Sequence, residues 1–192
     1  MKLNRFFFTA ILIISFFSTS EDQADKDPFE DINRTVFVIS DDLDKYFLRP
    51  AAETYSNYTP QLIKDGITNF FSNLSEVDTA VNQLLQGKLF LAAQDSTRFL
   101  INSTVGVVGI FDVASDLGLD RHDEDFGQTL GYWGVPSGAY MFVPFLGPTT
   151  IRDIFAKPTS WFLSGNLSVS DEEASLILNV FDVLETRERL LI

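Results

Sequence analysis

The sequence DFGQTLGYWGVPSGAYMFVPFLGPTTIRD, residues 125–153, places the strongest constraint on the architecture. No charged residue occurs between Asp125 and Arg152, and five glycines and three prolines interrupt the run. Both residue types are costly inside a helix, and proline also blocks a central strand. The backbone here is therefore predicted to be apolar and irregular. Such backbone is tolerated at membrane depth only where protein buries it or where it lines a cavity. A long loop packed over a helical core is the alternative.

The composition favours a single domain with apolar surface left exposed. The chain has 192 residues, 45% of them apolar, and phenylalanine occurs 19 times. Large exposed apolar patches mark membrane or partner sites. The net charge of −13 argues against a nucleic-acid-binding protein and against electrostatic adhesion to anionic lipid. The chain has no cysteine and one histidine, which excludes disulfides, cysteine nucleophiles and metal sites rich in either residue.

Residues 1–20 are predicted to form a secretory signal peptide. Lys2 and Arg5 precede the apolar run FFFTAILIISFF, and small residues follow at positions 18–20. This run is short for a membrane span, although an uncleaved N-terminal anchor is the alternative. Residues 21–26 are then a polar tether, and residues 27–192 form a single domain.

Helical periodicity dominates the rest of the chain. Apolar residues at steps of three and four predict helices over residues 27–48, 60–74, 75–86, 88–103, 149–157 and 170–189. Arg49-Pro50 is expected to end the first helix and Ser75 to cap the third. The fourth is expected to turn Phe90 and Leu100 inward. No alternation of period two is long enough to indicate a sheet, so the fold class is predicted to be all-α.

The C-terminal helix and a second uncharged run carry further local signals. Ser170 and Glu173 are predicted to form a capping box at the start of the last helix. The run FLINSTVGVVGIF, residues 99–111, is divided by Gly106 and Gly109. A helical hairpin with close backbone approach at the glycines is expected there.

Candidate catalytic residues are few. Ser137 lies in GVPSG, which lacks the G-x-S-x-G spacing of a hydrolase elbow. A triad with His122 and Asp125 is conceivable, but a turn serine and a surface histidine are the favoured interpretation. The acidic residues between positions 116 and 125 lack EF-hand spacing, so a solvated loop is favoured over a Ca²⁺ site. We therefore expect no enzyme, no catalytic residue, no metal and no cofactor.

Eight short motifs occur in order between residues 27 and 153. They are DPFEDINR (27–34), RPAA (49–52), NFFSNL (69–74), VNQLLQG (81–87), RFLINST (98–104), GVVGIFDVA (106–114), DFGQTLGYWGV (125–135) and PFLGPTTIRD (144–153). Each is weak alone, but the ordered series is specific. With these motifs the chain resembles the MlaA/VacJ family of outer-membrane lipoproteins.

The resemblance implies a ring of amphipathic helices with Gly/Pro-rich irregular segments, embedded in the inner leaflet of the outer membrane around an amphipathic channel. Phospholipid mislocalised to the outer leaflet would pass through it passively to a periplasmic carrier protein, which maintains lipid asymmetry. Trimeric porins would be partners, and no bond would be made or broken. The alternative is a structural adaptor that binds porin or other envelope partners without conducting lipid.

The resemblance also implies which residues would form the lipid path, because their positions match the family's motifs. Residues 106–111 would form the hairpin beside the pore, and residues 126–140 would contribute to the ring and its lumen. The expected path residues are Gly106, Val107, Val108, Gly109, Ile110, Phe111, Phe126, Leu130, Tyr132 and Tyr140. Structural hydrogen bonding is favoured over lipid contact for the polar motif positions Asn33, Arg34, Asn69, Asn73, Asn82, Arg98, Asp112, Arg152 and Asp153.

Two features depart from the family pattern. The family is normally lipidated on a cysteine at the end of the signal peptide, where this chain has Ser18-Thr19-Ser20, so lipidation is doubtful. Family members also continue past the equivalent of Leu190, whereas this chain stops at Ile192. The expectation is a missing carrier-contacting segment or a truncated homologue.

Overall fold

The computed structural model describes residues 27–144, 146–163, 180–181, 183–184 and 186–188. The predicted signal peptide and tether lie outside them. The helices are α1 (Glu30–Leu43), α2 (Arg49–Tyr58), α3 (Gln61–Leu85), α4 (Leu89–Thr104), α5 (Val113–Asp116), α6 (Phe126–Tyr132) and α7 (Ile151–Leu163). The protein is thus mostly helical, as predicted.

A short β-hairpin corrects the all-α prediction. Strands β1 (Tyr140–Val143) and β2 (Gly147–Thr150) pair antiparallel, with Tyr140 opposite Thr150. Gly147 has a φ of +76°, which favours glycine. Four residues per strand are too few to give a recognisable alternation in the sequence, which explains why periodicity missed the hairpin.

The first helix does not end at Arg49-Pro50, so that prediction is wrong. A π-helical turn, Asp44–Leu48, joins α1 to α2, and Arg49 itself has helical angles. A proline ring in a regular α-helix clashes with the carbonyl four residues earlier. We attribute the continuation past Pro50 to the π turn directly before it, in which the Arg49 amide bonds to the carbonyl five residues back, at Asp44, and the helix is wider.

The predicted break at Ser75 is also wrong, because α3 is one helix of 25 residues. The Ser75 hydroxyl donates to the carbonyl of Phe71 at 3.1 Å within the helix, so it caps nothing. By contrast α4 confirms the helix predicted over 88–103 to within one residue at each end.

The remaining two helix predictions have different outcomes. The helix predicted over 149–157 is wrong at its start, because Gly147–Thr150 pairs with β1 and α7 begins at Ile151. The helix predicted over 170–189 lies largely outside the described residues, including Ser170 and Glu173. The described residues between 180 and 188 are helical.

The centre of the fold is the pair α3 and α4, which the three residues 86–88 connect, and its buried faces are polar. Phe90 is 80% exposed and Leu100 60% exposed, so their predicted inward orientation is wrong. Hydrophobic periodicity locates an apolar face, but it does not say whether that face meets a protein core or lipid. Among the described residues the buried apolar side chains are alanines: Ala52, Ala80, Ala92, Ala114 and Ala156.

Candidate functional site

A buried network centred on Arg98 holds the interior together. Its guanidinium Nε donates to Glu76 Oε1 at 2.8 Å, which links α4 to α3. Its Nη2 donates to both carboxylate oxygens of Asp112, at 3.1 and 3.2 Å. Its Nη1 donates to Ser115 Oγ and to the carbonyl of Leu119. The guanidinium therefore has five acceptor atoms, the full number of its N–H groups.

The charged groups of this network shift one another's pKa values. Burial raises the pKa of the Glu76 carboxyl, and the hydrogen bond and charge of Arg98 oppose that rise. Burial also acts to raise the pKa of Asp112, but hydrogen bonds from Ser115 and Asn102 and the charge of Arg98 hold it below its usual value. The Asn102 amide donates to Asp112 at 2.9 Å. Arg98, Glu76 and Asp112 thus each have an oppositely charged partner within the network.

A second polar cluster joins α3 to α6. Thr129 Oγ1 donates to Asn82 Oδ1 at 2.8 Å, and Gln86 Nε2 donates to Thr129 Oγ1 at 3.1 Å. The Asn82 amide also donates to Asp78 Oδ1 at 2.6 Å. Burial raises the pKa of Asp78, although hydrogen bonds from Ser160 and Asn82 oppose the rise.

The conceivable catalytic triad is not assembled by these contacts. His122 Nδ1 lies 3.0 Å from Asp95 Oδ1, and Asp125 caps α6 by accepting from the Gln128 amide at 2.7 Å. The backbone carbonyl of Ser137 accepts from the Arg152 amide. In the described part of the chain, no three histidine, cysteine or acidic side chains are grouped so that they could hold a metal ion.

An apolar groove of about 580 Å³ lies along the first half of α3. Eight of its nine lining residues have apolar side chains, and the ninth is a glycine. They belong to α3, the loop after α4 and the C-terminal segment. They are Leu62, Ile63, Gly66, Ile67, Phe70, Phe71, Ile110, Phe111 and Phe181. Cavities of this volume hold small organic ligands or parts of larger ones.

Two ion pairs fix the described C-terminal residues beside this groove. Glu188 Oε1 accepts from Lys64 Nζ on α3 and from Ser56 Oγ on α2, both at 3.0 Å. The Arg187 guanidinium forms a two-point ion pair with Asp44. That hydrogen bond lowers the pKa of Asp44. Phe181, earlier in the same C-terminal segment, lines the groove.

The loop after α4 is a left-handed turn, so the predicted helical hairpin is wrong. Val107 and Val108 have φ values of +55° and +59°, and Gly109 has +89°. The physical reason is C-capping: the amides of Val108 and Gly109 bond to the last carbonyls of α4, which demands left-handed backbone. The predicted close approach is confirmed. A Cβ on Gly106 would lie 2.2 Å from the Phe111 oxygen.

The expected path residues fall in separate places. Ile110 and Phe111 line the groove, Val107 and Val108 are exposed beside it, and Gly106 and Gly109 are buried. Tyr140 lines a different cavity, between α1 and β1. The other three lie on α6, where Tyr132 is exposed, Leu130 is half-buried, and Phe126 packs edge-on against Trp133 at 6.3 Å. Their role in a lipid path stays a prediction.

Hydrogen bonding at the polar motif positions is confirmed. Asn69 donates to the Ile110 carbonyl at 3.1 Å and so fixes the groove wall, while Asn73 donates to Ser103 at 2.9 Å. Arg152 and Asp153 pair with each other at 2.8 Å. The Asn33, Arg34, Asn82, Arg98 and Asp112 side chains are also bonded within the protein.

Sequence reasoning missed how many polar side chains of α3 and α4 are buried. These polar residues recur with a helical period: Glu76, Thr79 and Gln83 on α3, Gln86 directly after it, and Asp95, Arg98 and Asn102 on α4. A helix that turns its polar side to water has the same spacing, so the pattern alone did not show that these residues are buried. No helix in the described part of the chain combines the length and the apolar character needed to cross a membrane.

Comparisons with known proteins agree with this architecture. The model of the MlaA lipoprotein family matches residues 25–192. An uncharacterised protein of Rickettsia typhi is 43% identical over 128 residues, which cover 67% of this chain and 51% of that protein. The intermembrane phospholipid transport system lipoprotein MlaA of Escherichia coli (strain K12) is 38% identical over 149 residues, 76% of this chain and 59% of that protein. The chain thus spans about half the length of the curated relatives it matches.

A solved structure shares the fold. It was reported as the structural basis for maintenance of bacterial outer membrane lipid asymmetry, and it matches with a TM-score of 0.76 at 35% identity. The match covers 86% of this chain and 85% of that chain. The family and the named E. coli relative are described as lipoproteins, so the doubt about lipidation that was based on the missing cysteine is not borne out. By its sequence and its fold, the chain belongs to the MlaA lipoprotein family.

Proposed function

We propose that this protein is a phospholipid-transport component of the bacterial outer membrane. In this proposal it is a passive conduit that removes phospholipid mislocalised to the outer leaflet and passes it to a periplasmic carrier protein. A trimeric porin is its membrane partner, and the lipid is not chemically changed. The descriptions of the E. coli relative and of the solved structure, which name phospholipid transport and lipid asymmetry, support this function.

The observation that carries the proposal is the inverted burial of α4. Phe90 and Leu100 point outward, whereas Arg98 on the same helix is buried and fully hydrogen-bonded. In water this arrangement would expose apolar surface at a cost in free energy. Against acyl chains that cost disappears, because lipid tails are as apolar as these side chains. Polar groups must then be satisfied inside the protein, as Arg98 is. The surface is therefore suited to a lipid environment.

The apolar groove supports the transport step itself. Its wall of Phe70, Phe71 and Phe111 offers no hydrogen-bonding side chain, so it suits an acyl chain rather than a polar headgroup. Val107 and Val108, in the same loop as Phe111, are further exposed apolar side chains. An acyl chain that leaves the bilayer here would remain in contact with apolar side chains.

A charge placed in the groove tests the proposal. Phe111→Asp should lower phospholipid transfer from proteoliposomes to a periplasmic carrier by about tenfold or more, because an unpaired carboxylate would lie on the acyl path. Leu117→Asp is the matched control, since Leu117 is also exposed but does not line the groove. Unchanged transfer by Phe111→Asp would contradict the proposal, and so would a chemically altered lipid product.

A further inference from the structure

A second cavity, of about 550 Å³, lies between α1 and β1, and it differs from the apolar groove in having charged and apolar ends. The charged end carries Asp27, Glu30 and Arg34, and the apolar end carries Phe37, Val38 and Phe142. An arrangement of opposite charges beside an apolar wall is complementary to an amphiphile, whose polar and apolar parts are adjacent.

The cavity is built on a fixed frame. Asn33 is buried, and its amide oxygen accepts from the Phe142 backbone N–H at 2.8 Å. Its amide nitrogen donates to the Tyr140 carbonyl at 3.2 Å and to Asp27 Oδ2 at 2.7 Å. One side chain therefore fastens the hairpin to α1. At the apolar end, Phe37 and Phe142 pack edge-to-face with their centroids 5.3 Å apart.

The charged end can exchange partners at little cost. Arg34 pairs with Glu30 at 2.8 Å, but the two side chains are 76% and 53% exposed. Exposed ion pairs of this kind contribute little to stability, so a ligand that offers each group a better partner can separate them. A guanidinium binds phosphate in a two-point geometry, and a carboxylate accepts hydrogen bonds from an ammonium group.

We propose that this cavity binds a phospholipid whose zwitterionic headgroup carries a primary ammonium. Arg34 takes the phosphate, and Glu30, with the negative charge of Asp27 beside it, takes the ammonium. An acyl chain lies against Phe37 and Phe142. Two carboxylates against one guanidinium leave the charged end net negative, which disfavours an anionic headgroup without an amine. This inference rests on the proposed transport function and names the lipid class that the site selects.

Competition between two lipids tests the site. The full chain is released from detergent micelles that contain equimolar phosphatidylethanolamine and phosphatidylglycerol with identical acyl chains, and native mass spectrometry measures the bound ratio. The wild type should favour phosphatidylethanolamine. Glu30→Gln should lower that ratio by about two- to fivefold, the scale of one exposed ion pair. Arg34→Gln should weaken binding of both lipids.

The pair Arg49–Glu53 in α2 supplies a matched control. It is also an exposed pair four residues apart, with Nε 3.1 Å from Oε1, but it does not line the cavity. Glu53→Gln and Arg49→Gln should leave the ratio and the bound amount unchanged. An unchanged ratio in Glu30→Gln, or an equal change in Glu53→Gln, would overturn the assignment of the lipid to this cavity. The proposed transport function would still stand if the wild type transfers lipid. A wild type that binds neither lipid overturns both.

Discussion

Arg98 and Glu76 form an ion pair of 2.8 Å in which each side chain is only 1% exposed. It joins the two central helices at a place where a globular protein of this size would normally pack apolar side chains. Removing one partner is expected to destabilise the protein, because the remaining charge is then buried with neither a counter-charge nor water to stabilise it.

Arg98→Met is predicted to destabilise the protein by about 3–5 kcal/mol, the usual cost of leaving a buried charge unpaired. Both Glu76 and Asp112 lose their cation in this variant. Chemical unfolding in detergent micelles, followed by circular dichroism, measures the loss. Arg34→Met removes an exposed cation and should cost no more than about 1 kcal/mol. Equal losses in the two variants would contradict a structural role for the network.

Asp112 predicts an acid-sensitive component of stability. Its folded pKa lies below the ordinary value because Ser115, Asn102 and Arg98 stabilise the carboxylate against the opposing effect of burial. The stabilisation is therefore fully present above the unfolded pKa of about 3.9 and is lost as the pH falls through the lower folded pKa. Asp112→Asn should be less stable than the wild type at neutral pH. Unfolding measured from pH 7 to pH 3 should show this difference shrinking below about pH 4; a constant difference would contradict the assignment.

Gly109 is predicted to be far less replaceable than Gly87, although both have positive φ values, +89° and +77°. A Cβ on Gly109 would lie 2.6 Å from the Asn73 Cβ, whereas a Cβ on Gly87 meets nothing within 4 Å. Gly87→Ala should cost about 1–2 kcal/mol from left-handed backbone alone. Gly109→Ala should cost clearly more, measured by chemical unfolding, since α3 and the loop must move apart. Equal costs would show that the loop can move away from α3 without a further loss of stability.

The sequence predicted some features well because they depend on local physics. The apolar period and Gly87 locate α4 to within one residue, and glycine spacing predicts the close approach at Gly106. The same local signals did not show which face of α4 is buried. The period of Phe90 and Leu100 is the same whether the helix borders a core or lipid, and the polar stripe opposite them is the same whether it meets water or the protein interior.

Capping chemistry failed for a related reason. Serine is favoured at the start of a helix, yet within a helix its hydroxyl can bond to the carbonyl four residues back, and local sequence does not distinguish the two. Ser75 does the second. Asp125 caps α6 in the way that capping preferences describe, with its carboxylate 2.7 Å from the Gln128 amide.

This difference gives a final paired prediction. Asp125→Ala should destabilise the protein by about 1 kcal/mol, because it removes the acceptor at the start of α6. Ser75→Ala should change stability by no more than about 0.5 kcal/mol, because the Phe71 carbonyl that loses the Ser75 hydroxyl belongs to the continuous helix α3 and still accepts a bond from its own helical ladder. Unfolding of the two variants under the same conditions measures both values. A loss in Ser75→Ala as large as that in Asp125→Ala would favour two separate helices in place of α3, with Ser75 as a true cap.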